Sequence, residues 1–326
     1  MDKQRKIIDF CKNELNLDTI GFIKCRKFEE LRDFYLFRKN SNLENEFEEK
    51  DIEKRIDPSI YMEEAKSIIS IAFPYNTFEN TLDNGFSIYT KGEDYHKVVF
   101  KYLDSIIKYI ESLGGKALGF VDSNSLPERY IAYLAGIGII GKNNMIITKK
   151  YGSFVFLSEI ITDLDIGNLD KGIFSDIKLY KDCRDCDICL KECPTKSINN
   201  FKINPNICLS YLTQKKELED KEINLLKGRI FGCDSCQNKC PKNKDISKTP
   251  ISEFKIKDFM KNSLDDYIIN INNSQFKESF KNTSCGWRGK NTLIRNALIR
   301  KKYKGEDIES FKSGSPYLKG YKDRLL

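Results

Sequence analysis

Residues 183–194 read Cys183-Arg184-Asp185-Cys186-Asp187-Ile188-Cys189-Leu190-Lys191-Glu192-Cys193-Pro194; residues 233–241 read Cys233-Asp234-Ser235-Cys236-Gln237-Asn238-Lys239-Cys240-Pro241, and Cys208 stands alone between them. The first run has the C-x2-C-x2-C-x3-C-P spacing of a [4Fe–4S] site, in which three close cysteines hold one cluster and the fourth reaches a second. The second run lacks only its leading cysteine, and Cys208 is the substitute. By that logic Cys183, Cys186, Cys189 and Cys240 hold one cluster, and Cys193, Cys208, Cys233 and Cys236 hold the other. Structural zinc favours two separated C-x2-C pairs, and disulfides belong to oxidising compartments and small secreted chains; neither describes this stretch. Cys11, Cys25 and Cys285 are scattered and read as ordinary thiols.

Outward from that stretch, 326 residues suffice for two or three domains with a sizeable core. The first residues mix charge with an amphipathic pattern and lack the apolar core of a signal peptide. No apolar run approaches the roughly 18 residues that span a bilayer. Oxygen-sensitive clusters without an export signal make the cytoplasm the expected address. The net charge of +7 is unevenly spread: residues 242–326 hold 19 Lys and Arg against 10 Asp and Glu. A lopsided basic tail points to an anionic partner, nucleic acid first, or is simply a solvated lysine-rich surface.

Before the cysteines, helical and strand patterns alternate. Helices are expected over 2–15, about 27–37 and 96–113, and strands over 19–23, 67–73, 116–121, 145–148 and 154–161. Residues 40–57 read as a charged mobile loop, and 164–181 as a linker. The strand over 116–121 runs into Asp122, with Pro127 opening the next helix. A carboxylate at that point is either a loop or N-cap aspartate or a place where α/β folds gather chemistry. Gly136-Ile137-Gly138 to Gly141-Lys142-Asn143 is a glycine-rich turn without the final hydroxyl of a phosphate-binding loop. A helix is expected over 207–213, carrying Cys208, and further helices over 252–260, 275–280 and 291–302. The fold class is α+β: an α/β-type sheet domain over 1–170, a ferredoxin-like two-cluster domain over 171–248 and a basic helical tail over 249–326.

Paired clusters carry single electrons, and no G-x-G-x-x-G dinucleotide fingerprint supplies an acceptor. The acceptor is an external protein, a substrate or a cofactor held without that motif. The single histidine, His96, excludes multi-histidine metal sites; it is either a surface residue or faces a cofactor.

The motifs taken in order resemble the epoxyqueuosine reductases. They are Asp51-Ile52-Glu53-Lys54-Arg55, Gly92-x-Asp94-Tyr95-His96, Val121-Asp122-Ser123, Gly136-Ile137-Gly138 to Lys142-Asn143-x-Met145-Ile146 and Gly152-Ser153-x-Val155-x-Leu157. Cys208-x-Ser210-x-Leu212-Thr213-Gln214, Gly228-Arg229-x-x-Gly232-Cys233-Asp234-x-Cys236-Gln237, Ser284-x-x-Trp287-Arg288-Gly289-Lys290 and Arg295-Asn296-Ala297 follow. The resemblance spans about residues 1–300. Reductive dehalogenases share the plan of a corrinoid with two clusters.

The resemblance implies reduction of the epoxide of epoxyqueuosine to the alkene of queuosine at the tRNA wobble position, nucleotide 34. Electrons would come from a flavodoxin- or ferredoxin-type donor or a reductase, through the clusters, to base-off cobalamin. It implies that Asp122 is the proton donor; a carboxyl enclosed beside an apolar corrin would have its pKa raised. Arg55, Tyr95, His96, Asp122, Ile146, Leu157, Ser210, Gln214 and Lys215 are the implied cobalamin neighbours. Trp287, Arg288, Lys290 and Arg295 are the implied tRNA contacts. A monomer without membrane attachment is expected. Longer members continue into HEAT-type repeats beyond the point where this chain stops, and Ser123-Asn124 replaces a common threonine and glycine. The competing readings are a non-catalytic two-cluster electron carrier and a corrinoid reductase of a small molecule.

Overall fold

The computed structural model describes residues 2–79, 83–172, 174, 180–199, 203–226, 228–262 and 264–326. Part of the expected linker therefore lies outside the described residues. The first half runs α1 (Lys3–Glu14), β1 (Ile20–Lys24), α2 (Arg32–Asn40), α3 (Ile52–Ile56), β2 (Ser67–Pro74), α4 (Tyr95–Ser112), β3 (Ala117–Phe120) and α5 (Glu128–Leu134). A two-stranded ribbon of β4 (Ile139–Ile140) and β5 (Ile146–Ile147) and the long strand β6 (Val155–Thr162) complete it. The sheet order is β1-β2-β6-β3, and each neighbouring pair is antiparallel.

Strand β2 is buried at all eight positions, as its Ile-rich sequence requires of a strand covered on both faces. Ile69, Ile71 and Phe73 face a core with Val99, Leu103, Ile106 and Ile110 of α4, whereas Ile68 and Ala72 face Ile131 and Leu134 of α5. Each such Ile, Leu, Val or Phe side chain contributes about 1.5–3 kcal/mol. The alternation of helix and strand left the direction of the sheet open; the sheet is antiparallel throughout, in keeping with the α+β class. Gly21 of β1 lies against the end of α5, where an added Cβ would sit 2.4 Å from the Ala135 carbonyl oxygen. Gly21→Ala is expected to cost about 1–3 kcal/mol, read as a lower urea midpoint at unchanged slope.

The charged stretch 40–57 is tied down rather than mobile. Glu48 bonds Arg38 Nη2 at 2.9 Å and Arg55 Nη1 at 3.1 Å, and Asp51 caps α3 through the Glu53 amide. Like-signed sequence neighbours gave no hint of these cross-loop pairs.

The cysteine region holds α6 (Ile188–Glu192), α7 (Leu209–Leu212), α8 (Asp220–Leu225) and α9 (Ser235–Asn238). Helices α6 and α9, one from each cysteine run, pack together, and each ends at a Cys-Pro pair that cannot extend it. Cys208 is the N-cap residue of α7.

In the last part, α10 (Asp265–Ile269), α11 (Asn273–Ser279), α12 (Lys290–Tyr303) and α13 (Pro316–Leu325) surround a core that also recruits Phe86, Ile230 and Phe231. The stretch 252–260 forms two 3-10 turns rather than one helix. Helix α12 is buried on nearly every side. Its Asn296 Nδ2 donates to the carbonyls of Thr213 (2.8 Å) and Ile230 (2.7 Å), and Arg300 pairs with buried Asp265 at 3.1 Å. Part of the positive excess read as a nucleic-acid footprint is thus internal scaffolding. Among the described residues, no helix is long and apolar enough to cross a membrane.

Candidate active site

Asp122 follows β3 in a tight turn and takes φ +55°, a left-handed conformation that a non-glycine residue holds only when its surroundings enforce it. Its amide donates to Glu128 Oε1 at 2.9 Å. The carboxylate accepts a short hydrogen bond from the Tyr95 hydroxyl and lies 3.4 Å from His96 Nε2. The side chain sits in a recess of the protein yet keeps 59% of its surface open.

Both partners are set by the start of α4. Asp94 caps that helix through the His96 amide at 3.2 Å, and the same carboxylate oxygen lies 3.0 Å from His96 Nδ1. His96 is thus held between two carboxylates. Burial opposes its charge, but the bonds to Asp122 and Asp94 prevail and raise its pKa to about 9. Burial likewise pushes Asp122 up, but His96 and Tyr95, with the charges of His96 and Arg129, hold it below the ordinary carboxylate value. Within the chain's own surroundings the two donors, His96 and Tyr95, outweigh burial. Near neutral pH the pair holds one proton, resting on His96 and directed at Asp122.

Tyr95 connects this site to the cysteine region. Its ring stacks on Phe156 at 4.2 Å, beside Leu157, and meets Tyr89 edge-on at 6.5 Å. Tyr89 lies beside Ser210, two residues after Cys208. Ser210, Tyr89, Tyr95 and Asp122 thus stand in succession between the cysteine region and the carboxylate.

The thiols fall into two neighbourhoods. Cys183, Cys186, Cys189 and Cys240 line one cavity of about 180 Å³ with Lys142, Asn143 and Ile147. Burial, then its neighbours Cys183, Cys240 and Cys186, push Cys189 up to about 11. Burial also raises Cys208, with Cys233 and Cys193 as its thiol neighbours, and Cys236, with Cys233 and Cys208. Burial opposes ionisation at Cys193 too, but hydrogen bonds from the Ile198, Thr195 and Ser197 backbone and from Thr195 Oγ1 hold it below the ordinary thiol value; thiols gathered in this way suit cationic iron, which a cluster supplies. Among the described residues no three His, Cys, Asp or Glu converge as for a single metal ion; a cubane spreads its ligands over four iron corners. The glycine-rich turn acts here as a clamp: Lys142 Nζ donates to the carbonyls of Arg184 (2.8 Å) and Cys186 (3.0 Å), and Asn143 to that of Cys236 (3.2 Å). Gly152 brings the Ser153 amide to Asn243 at 2.8 Å, in a space where a Cβ would lie 2.1 Å from Asn243 Oδ1.

Of the sequence-predicted cobalamin neighbours, Tyr95, His96 and Asp122 touch one another and Ser210 lies beside Tyr89, whereas Leu157 faces the opposite side of β6 from Phe156, against the core beneath α5. Arg55 reaches the same loop indirectly, since Ser125 Oγ donates to the Lys54 carbonyl at 2.7 Å. Its guanidinium is engaged by Glu48 and lies 3.9 Å over the Tyr35 ring. Ile146 is buried in the β4–β5 ribbon. Gln214 accepts from Trp287 Nε1 at 3.2 Å, and the Lys215 ammonium is taken by Glu222 at 2.7 Å.

The predicted tRNA contacts divide. Trp287 is 56% exposed, and Lys290 lines a polar cavity of about 430 Å³ with Lys312. Arg288 lies 4.2 Å over the Trp287 ring and 4.8 Å over Phe47, paired with Glu46 at 2.8 Å. Arg295 is a correction: it is fully buried, and its Nη1 donates to the carbonyls of Lys215 (2.8 Å) and Lys216 (2.7 Å). It braces α12 against the cysteine region and offers nothing to RNA. Sequence reasoning missed Glu128, Tyr89, Glu46 and Phe47; only Glu128, opening the helix behind Asp122, left a signal.

Two family models match: the epoxyqueuosine reductase QueG (DUF1730) model over residues 55–123 and a 4Fe-4S double cluster binding domain over 182–243. The epoxyqueuosine reductase of Lactococcus garvieae (strain Lg2) is 34% identical over 296 residues, covering 87% of this chain and 82% of the relative. A crystal structure of epoxyqueuosine reductase with a tRNA-Tyr epoxyqueuosine-modified stem loop superposes with a TM-score of 0.87 at 30% identity, covering 99% of this chain and 90% of that one. The Bacillus subtilis enzyme, with its aspartate catalytic loop swung out of the active site, superposes at 0.85 and 29% identity, with coverage of 99% and 90%.

Proposed function

This chain belongs to the epoxyqueuosine reductase family, and we infer that it reduces epoxyqueuosine to queuosine at the wobble position of tRNA with Asp122 as proton donor. The observation that carries the assignment is the Asp122 carboxylate held by Tyr95 and His96 at the end of a side-chain path from Ser210. A bare electron carrier has no use for a proton-holding pair outside its clusters; a small-molecule reductase would use one equally, and the likeness to epoxyqueuosine reductases, one of them solved with a modified tRNA stem loop, favours tRNA over it.

The chain takes two [4Fe–4S] clusters and cobalamin; when bound, the clusters carry single electrons and cobalamin is the reducing centre. We assign Cys183, Cys186, Cys189 and Cys240 to one cluster and Cys193, Cys208, Cys233 and Cys236 to the other. The cobalamin neighbours named above, from residues 1–170 and from Ser210, Gln214 and Lys215, would hold the corrin between the sheet domain and the cluster region. In the balanced reaction the epoxide gains two electrons and two protons, both carbon–oxygen bonds to the bridging oxygen break, and an alkene and water form. His96 passes its proton to Asp122, which delivers it to the departing oxygen; solvent supplies the second proton, and Tyr95 fixes the carboxylate's direction. Electrons enter from an external flavodoxin- or ferredoxin-type donor or a reductase, in the cytoplasm, to a monomer.

The test is anaerobic reconstitution with iron, sulfide and cobalamin, a chemical reductant and an epoxyqueuosine stem loop. Loss of one oxygen atom from the nucleoside is expected; an unchanged nucleoside with both cofactors bound refutes the assignment.

For RNA binding, Trp287→Ala is expected to weaken the stem-loop complex by about 1–3 kcal/mol through lost stacking. Glu46→Ala should strengthen it at low salt by freeing the Arg288 charge, and Arg288→Ala should lower the slope of log affinity against log salt by about one. Unchanged titrations for all three would remove this face from the footprint.

A further inference from the structure

The carboxyl of Glu128 lies directly behind the Asp122 turn. One oxygen, Oε1, accepts both the Asp122 amide at 2.9 Å and Asn124 Nδ2 at 2.8 Å. Asn124 Oδ1 in turn accepts the Leu126 amide at 2.7 Å. The turn has no glycine to make a positive φ inexpensive, because Asp122 itself sits at +55°. An isolated Asp-Ser-Asn-Ser segment would leave that conformation readily. Glu128 belongs to α5, which is packed into the core beside Ile131 and Leu134, so its anchor point does not move with the loop. Glu159 of β6, fully buried between Ser70 and Phe120, reinforces the arrangement from within the sheet. Its Oε1 accepts from Ser70 Oγ at 3.4 Å and its Oε2 is unpartnered. Burial and then the charge of Glu128 hold Glu159 well above the ordinary carboxylate value, so the inner carboxyl stays neutral and does not repel the outer one.

We propose that Glu128 is the positioning residue of the reduction: through one carboxyl oxygen it latches the Asp122 amide and Asn124 to α5, keeping the Asp122 carboxylate on Tyr95 and His96. The inference rests on Asp122 being the proton donor.

Reach and charge separate in three variants, all as holoenzyme with clusters and cobalamin loaded. Glu128→Gln keeps the acceptor oxygen at the same reach and is expected to turn over within about threefold of the parent. Glu128→Ala, and Glu128→Asp with the charge kept but one methylene too short, are expected to lose about 10–100-fold in kcat through misplacement of the donor. KM for the stem loop and the cluster and corrinoid spectra should be unchanged. The aspartate variant serves as the measure of reach where the alanine variant folds poorly. In an Asp122→Asn background, Glu128→Asp should add no further loss, because the latch acts only through that carboxylate. Parent-like turnover of Glu128→Asp overturns the proposal, as does a glutamine variant as slow as the aspartate one. A slow Asp122→Asn enzyme slowed again by the same factor overturns the latch alone, whereas a parent-like Asp122→Asn enzyme overturns the donor reading and the latch with it.

Discussion

Asp122→Asn is expected to lower single-turnover conversion of epoxyqueuosine in a tRNA stem loop by about 10²–10⁴-fold, the usual worth of a positioned general acid. Cobalamin content, iron content and stem-loop affinity should stay at parental values. Asparagine is nearly isosteric and still accepts from the Tyr95 hydroxyl, so the loss reports the missing proton rather than a collapsed site. The pH dependence carries the second half of the argument. In the parent the Asp122–His96 pair keeps its shared proton until pH rises through about 9, the raised value of His96. Turnover should therefore be level through neutral pH and decline above about 9. His96→Gln removes the proton store and the charge that favours the Asp122 anion. The donor is then the Asp122 carboxyl alone, so the alkaline decline should begin at lower pH, with rate recovered as pH falls. An identical profile in His96→Gln would exclude the pair as the proton source. The sign for stability agrees: His96 binds its proton more tightly folded than unfolded. Its contribution is complete below about 6.5, the ordinary histidine value, and is lost as pH rises through about 9.

The other large effect concerns the cysteines. Under the crossed pairing, Cys186 and Cys240 serve the same cluster, so Cys186→Ser with Cys240→Ser should remove one cluster and leave about four iron atoms per chain. Pairing each run only with itself would place the two substitutions on different clusters and damage both. The crossed assignment also predicts that Cys193→Ser with Cys208→Ser spares the cluster lined by Cys183, Cys186, Cys189 and Cys240. Turnover should vanish in both double variants, because single electrons no longer reach the reducing centre. Iron analysis with electron paramagnetic resonance of the reduced protein counts the surviving clusters. Loss of both from the Cys186/Cys240 variant would refute the crossed pairing.

The cysteine spacing, the positions of most helices and strands and the Asp-Tyr-His and Val-Asp-Ser motifs were legible in the chain because each is local. A thiol ligand set is set by spacing, a helix by its repeat and cap, and the Asp94 cap by the residues it precedes. Strand direction was not legible: β2 and β6 lie far apart in sequence and read as apolar runs whichever way they pair. The partners of Asp122 were not legible for a related reason, since Tyr95 and His96 arrive from α4, distant in sequence. Arg295 shows the limit for charges. On paper it is one more cation in a basic tail, and only the packing of α12 against the carbonyls of Lys215 and Lys216 makes it internal.

By itself, then, the sequence determined the two [4Fe–4S] clusters and the α+β class, and it supplied the cysteines and the Asp-Tyr-His and Val-Asp-Ser motifs on which the proposed site rests. Those properties follow from spacing and residue chemistry. Only the tertiary structure decided that Tyr95 and His96 seize Asp122, that Glu128 latches its turn, and that Arg295 and Arg300 are scaffold while Trp287 is surface. Those outcomes depend on long-range packing, where burial and partner choice override what a residue type would do in water.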